Sequence, residues 1–156
     1  MKKRKSSREK LADAKDLPKV VAIPPRMSSQ WGTGTMVIPA PIEVNQIMRK
    51  VPKGKLITIN DIRKTLARKH GATIGCPITA GIFARIAAGA AEEDQAEGRK
   101  RITPYWRTLK SGGELNPKYP GGVEGQKKKL VAEGHTVVCR GKRFFVQEYE
   151  RSRVRI

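Results

Sequence analysis

Residues 58–93 read TINDIRKTLARKHGATIGCPITAGIFARIAAGAAEE, and this stretch decides the fold. Thr58 or Asn60 can cap a helix that runs to about His70, with Ile62, Leu66 and Ile59 at helical spacing and Gly71 as its stop. Residues 71–77 form a turn that closes on Cys76-Pro77, and a second helix follows from about Ile78 to Glu93. Two helices joined by a short glycine-containing turn are a helix-turn-helix. The second helix is unusual for its small residues: Ala80, Gly81, Ala84, Ala87, Ala88, Gly89, Ala90 and Ala91. Such a helix either packs tightly in a core or presses into a DNA minor groove. Arg85, its long cation, either contacts a phosphate or snorkels into solvent.

Working outward, Ile42, Val44, Ile47, Met48 and Val51 suit a short amphipathic helix, and Val51–Gly54 reads as a turn leading to a brief apolar strand at 56–58. Beyond the helix-turn-helix, residues 94–101 are a polar linker. Residues 102–122 carry three prolines and four glycines and read as a structured loop. A last helix spans Val123–Glu133. Strands Thr136–Cys139 and Arg143–Val146 then flank a tight turn. Before residue 36 the chain reads as a tail. Its first 30 residues hold nine basic and three acidic side chains, and the run Lys2–Lys5 suits either a solvated terminus or an arm along phosphates. The expected architecture is mainly α: a winged-helix-like helix-turn-helix domain with a small β-hairpin. Residues 1–35 are a basic, flexible N-terminal tail, 36–150 the domain, and 151–156 a basic end.

The whole chain of 156 residues has 33 basic and 14 acidic residues, for a net charge of +19. Such a chain is drawn to polyanions, with nucleic acid the first expectation. Two cysteines make no disulfide framework and suit a reduced, cytoplasmic setting. No apolar run approaches a membrane span. Cys76, Cys139, His70 and His135 lack zinc spacing, so no metal is expected. Cys76, ahead of a helix N-terminus, is either a structural thiol or an activated one. The pair Tyr105-Trp106 in Thr103-Pro-Tyr-Trp-Arg-Thr108 is either a stacking platform for a base or core filling.

From about Ile42 to His135 the sequence resembles the DNA-binding domain of the O6-alkylguanine-DNA alkyltransferase family. Residues 51–62, VPKGKLITINDI, resemble the family's approach to its helix-turn-helix, and 103–108 stands where the family has Ile-Pro-Cys-His-Arg-Val. The match continues through 111–115, 119–122 and 130–135. The resemblance implies minor-groove binding by the second helix, rotation of a damaged guanine out of the stack, and alkyl transfer to the cysteine. Here Tyr105 holds the cysteine position and Trp106 the activating histidine position. Glu133 and Arg107 keep their types. Gly81 stands at the intercalating arginine and Ile59 at the tyrosine that helps turn the nucleotide. A phenol is mostly protonated at neutral pH and accepts an alkyl group poorly. The departures therefore resemble the non-reactive alkyltransferase-like branch, which flags lesions for excision repair.

The resemblance implies a monomer that binds double-stranded, alkylated DNA without a cofactor, in the cytoplasm or on the nucleoid, with repair proteins as partners. Its DNA-contacting positions are Thr79, Gly81, Arg85, Arg107, Lys110 and Lys118. A base pocket is expected at Tyr105, Trp106, Tyr119 and Pro120. The alternatives are alkyl transfer through Cys76, or general nucleic-acid binding by charge alone.

Overall fold

Three helices form the centre of the structure, a computed structural model that describes residues 5–154. With short helices included they are α3 (Pro41–Arg49), α4 (Ile59–His70) and α5 (Pro77–Ala96). Their shared core contains Val44, Met48, Ile62, Leu66, Ala84, Ala87, Ala88 and Ala91. Helix α4 begins where the sequence predicts. Thr58 Oγ1 accepts the Asp61 N–H at 3.3 Å while Asp61 Oδ2 accepts the Thr58 N–H at 2.9 Å, a reciprocal cap. It ends at Gly71, whose φ of +64° is left-handed. Helix α5 starts at Pro77, which needs no N–H partner in the first turn.

The two faces of α5 differ, and one of them packs tightly in the core as expected. Ala80, Ala84, Ala87, Ala88 and Ala91 turn inward and are buried. Ile78, Gly81, Ile82 and Arg85 fall at i, i+3, i+4 and i+7 on a face that is half-buried at Gly81 and exposed at the other three. Small residues let α5 sit close to its neighbours without covering that stripe.

The N-terminal segment departs from expectation. In place of a flexible tail, residues 7–38 are built into the domain. Helix α1 (Ser7–Ala12) lies against the C-terminal half of α5, and Glu93 accepts the backbone N–H groups of Ser7 at 2.8 Å and Arg8 at 3.0 Å. The Arg8 guanidinium forks onto Glu97, with both bonds at 2.6 Å, and reaches Asp94 at 3.2 Å. The acidic end of α5 thus attracts the basic segment and caps its helix. Strand β1 (Lys19–Ala22) pairs antiparallel with β2 (Thr35–Ile38). The short helix α2 (Ser28–Trp31) lies between them in sequence. Strand β2 also pairs parallel with β4 (Ile74–Gly75), so the sheet crosses the expected boundary at residue 36. Ile23, Met36 and Cys76 form the cluster beneath it. Of the basic run, Lys2–Arg4 lie outside the described residues, and Lys5 pairs with Asp13 at 2.6 Å.

Strand β3 (Ile57–Thr58) runs parallel to β5 (Thr108–Leu109). Helix α6 (Gly122–Ala132) and the hairpin of β6 (Val137–Arg140) and β7 (Arg143–Val146) follow. The hairpin turns at Gly141-Lys142, and Arg140 belongs to the strand. Leu56, Leu109, Leu115, Leu130 and Val146 form a second core here. The basic stretch from 151 is attached as far as it is described. Ser152 O accepts the Leu56 N–H at 2.9 Å, and the Val154 N–H donates to Leu56 O at 2.8 Å.

Candidate nucleic-acid interface

Tyr105 opens a 3-10 turn (Tyr105–Arg107) behind Pro104 and ahead of β5. Its side chain is 1% exposed. The hydroxyl donates to Glu92 Oε1 on α5 at 2.5 Å. Its ring meets Trp106 and Tyr119 edge-on, each with centroids 5.4 Å apart. Tyr119 is buried too, and its hydroxyl donates to the Thr108 carbonyl at 3.1 Å. Burial, then the bond to Glu92, pushes the Tyr105 phenol far above its ordinary value. Tyr105 is therefore a neutral donor at any physiological pH, not a nucleophile.

This arrangement corrects the expected base pocket. Tyr105, Trp106 and Tyr119 pack into one another beside the half-buried Pro120. The tyrosine ring fills space that a cysteine would leave, and its hydroxyl anchors it to α5. The Tyr105 ring, in contact with both neighbours, occupies the space expected for a base.

Next to it, Glu133 gathers the remaining reactive-looking groups into a structural pair. It accepts the Trp106 Nε1–H at 3.1 Å, the Arg107 Nη2–H at 2.7 Å and the Arg107 Nε–H at 2.9 Å. Arg107 Nη1 donates to the Val51 carbonyl at 2.8 Å. Burial alone would raise the Glu133 carboxyl, but Arg107 and Trp106 outweigh it and hold the carboxyl below its usual range. An ionised carboxylate with these donors is no general base for its neighbours. Arg107, expected to contact DNA, has a side chain that is 13% exposed and paired with Glu133. Lys129 and Arg107 both lie over the Trp106 ring, at 5.1 and 5.5 Å from its centroid.

An open groove of about 330 Å³ lies on the outer stripe of α5. One wall is Ile78, Gly81, Ile82 and Arg85; the other is Lys110, Asn116 and Lys118. Ile59 and Asn60 of α4 also line it, and Asn60 Nδ2 donates to Ser111 Oγ at 3.1 Å across the fold. Four anticipated DNA-contacting residues thus converge: Gly81, Arg85, Lys110 and Lys118. Thr79 does not line the groove, and its hydroxyl is buried without a partner among the described residues. Arg85 and Lys118 form no ion pair among the described residues, while Lys110 sits 3.7 Å from Glu114. A Cβ added at Gly81 would meet nothing within 4 Å, so the protein's own packing does not require a glycine there. Ile78 and Ile82 were missed from sequence, although their spacing with Gly81 and Arg85 was the available signal. Cys76 is 5% exposed, packed with Ile23 and Met36.

Helices α3 to α5, a 3-10 turn carrying the position-105 side chain, and a following helix and hairpin make up the mainly α, alkyltransferase-like fold. Among solved structures it is shared by S. pombe Atl1. The complex of that protein with damaged DNA containing O6-carboxymethylguanine superposes with a TM-score of 0.50 at 18% identity, over 73% of this chain and 93% of that chain. A second Atl1 structure in complex with DNA gives 0.51 at 19% identity, with the same coverage. No family model and no curated protein matches the sequence. The likeness is one of fold.

Proposed function

We propose that this protein binds duplex DNA through the minor groove and recognises alkylated or distorted sites without transferring the alkyl group. The observation that carries the reading is the groove on α5. On a fold shared with a protein solved on damaged DNA, it joins an unburied helix face to the cations Arg85, Lys110 and Lys118. Phosphates attract such cations, and the small residues of α5 suit close approach to a groove. Absence of transfer follows from Tyr105, a buried neutral phenol, and from Glu133, whose charge is committed to Arg107.

Transfer through Cys76 has no support in the geometry, because the thiol is packed in a core cluster. In this reading the protein acts as a monomer in a reduced cytoplasmic compartment, where its two free cysteines persist, and hands lesions to repair proteins. Fluorescence anisotropy with O6-methylguanine and undamaged duplexes across a salt series tests binding and preference. Intact-mass measurement tests transfer. Tighter binding to the damaged duplex with an unchanged protein mass is expected. Equal affinities and a steep salt slope would leave only phosphate contact.

A further inference from the structure

We infer that Ile78 and Ile82 form an apolar wedge that enters the minor groove and partly unstacks a base step. The inference rests on the proposed DNA binding and deepens it. Ile78 is 61% exposed and Ile82 is 38% exposed, one helical turn apart. Gly81 lies between them and leaves the space beside both unfilled. Both side chains face the open groove.

What surrounds them identifies the occupant. Arg85 and Lys118 line the same groove without ion-pair partners among the described residues, and Lys110 adds a third cation. An apolar ridge beside cations matches an object with an apolar interior and anionic rails, which is a base stack between phosphates. An α-helix with its side chains is about 10 Å across, and a minor groove is about 6 Å wide. The helix therefore enters only if the groove widens, and insertion of an aliphatic side chain between bases does that. The wedge also sets specificity. Isoleucine offers no hydrogen bond, so it cannot read the alkyl group. It favours whichever step unstacks at least cost, including a mispaired step with no alkyl group.

The test uses the full chain and three duplexes: undamaged, O6-methylguanine-containing, and a G·T mismatch, each with 2-aminopurine at the neighbouring step. Expected are a fluorescence rise on binding and similar affinities for the mismatch and the methylated duplex. Ile78→Ala/Ile82→Ala should abolish the rise and lower affinity for both by about tenfold. Salt-dependent binding to undamaged duplex should persist, which shows that the variant is folded. Ile78→Met should retain the rise, and Val131→Ala, on exposed α6 surface, should behave as the parent. An undiminished rise in the double variant overturns the wedge and leaves DNA binding standing. Discrimination of methylated from mismatched duplex by the parent overturns the specificity. A dimer in sedimentation that dissolves in the double variant assigns the ridge to a second copy of the chain. Failure to bind any duplex removes the proposed function itself.

Discussion

Replacing Tyr105 by cysteine tests whether the chemistry is missing one residue or a whole environment. Tyr105→Cys removes a ring that is 1% exposed and packed edge-on against two others. Truncating a buried aromatic costs about 3–5 kcal/mol, less where neighbours collapse into the space. The Glu92 carboxylate also loses its hydrogen-bond donor, which costs about 1–3 kcal/mol in a buried setting. A thiol retains part of the volume and Glu92 is only partly buried, so a total of about 4 kcal/mol is expected. For a chain of this size each kcal/mol shifts Tm by about 2–4 °C, giving a fall of roughly 8–16 °C. Methyl transfer should not appear. The adjacent Trp106 offers only an N–H donor, already bonded to Glu133, so the neighbouring position supplies no base to activate the new thiol. Calorimetry and intact-mass spectrometry after incubation with O6-methylguanine duplex read the two parts. An unchanged Tm would refute the packing argument. A protein heavier by one methylene would refute the claim that the surroundings prevent the reaction.

Arg107→Ala should cost about 3–5 kcal/mol in urea unfolding, because it strands the Glu133 carboxylate among buried groups. DNA affinity per folded molecule should hardly change; a large loss would place Arg107 on the interface after all. Arg85→Ala/Lys118→Ala should weaken binding to every duplex and reduce the log–log salt slope by about 2, with an unaltered slope counting against the groove as the phosphate site. Gly89→Ala sets an intrinsic helix preference of about 1 kcal/mol against a collision of the new Cβ with Ser7. Release of α1, seen as faster amide exchange at Ser7 and Arg8, is expected, and unchanged exchange would show that the close approach is adjustable. Burial raises the phenols of both Tyr105 and Tyr119. Their contribution is complete below the ordinary phenol pKa near 10 and is lost as pH rises above it, since the unfolded chain then gives up protons that the folded chain keeps. Tyr105→Phe should make the alkaline fall in stability shallower, as followed by denaturant midpoints between pH 9 and pH 11 (roughly one unit on either side of that pKa).

Local signals in the sequence carried most of the central fold. The Thr58–Asp61 cap, Gly71 and Pro77 mark the ends of α4 and α5 with neighbouring residues alone. The N-terminal segment was opaque for the opposite reason. Its order depends on Glu93, Asp94 and Glu97, far away in sequence, and a run of cations read alone resembles a solvated tail. One local sign was available: Ser6 and Glu9 form the capping box that starts α1. At the site, Arg85, Lys110 and Lys118 line one groove, whereas Arg107 pairs with a carboxylate. Nothing in a lone arginine tells whether its partner is a phosphate or a carboxylate. The base pocket failed on volume, because spacing places Tyr105 beside Tyr119 without saying that their rings meet.

The backbone of Leu56 has a bearing on how the protein is made. Both its N–H and its C=O are bonded to residues 152–154, while its side chain is wholly buried in the second core. On a ribosome, Leu56 emerges long before those partners exist. Helices α3 to α5 can pair as they appear, since their contacts are local, but the strand edge at Leu56 stays open until residues 152–154 have left the exit tunnel. Closure of this second core therefore waits for residues 152–154, and a chain stalled before residue 152 would expose an unpaired apolar edge to the cell's chaperones.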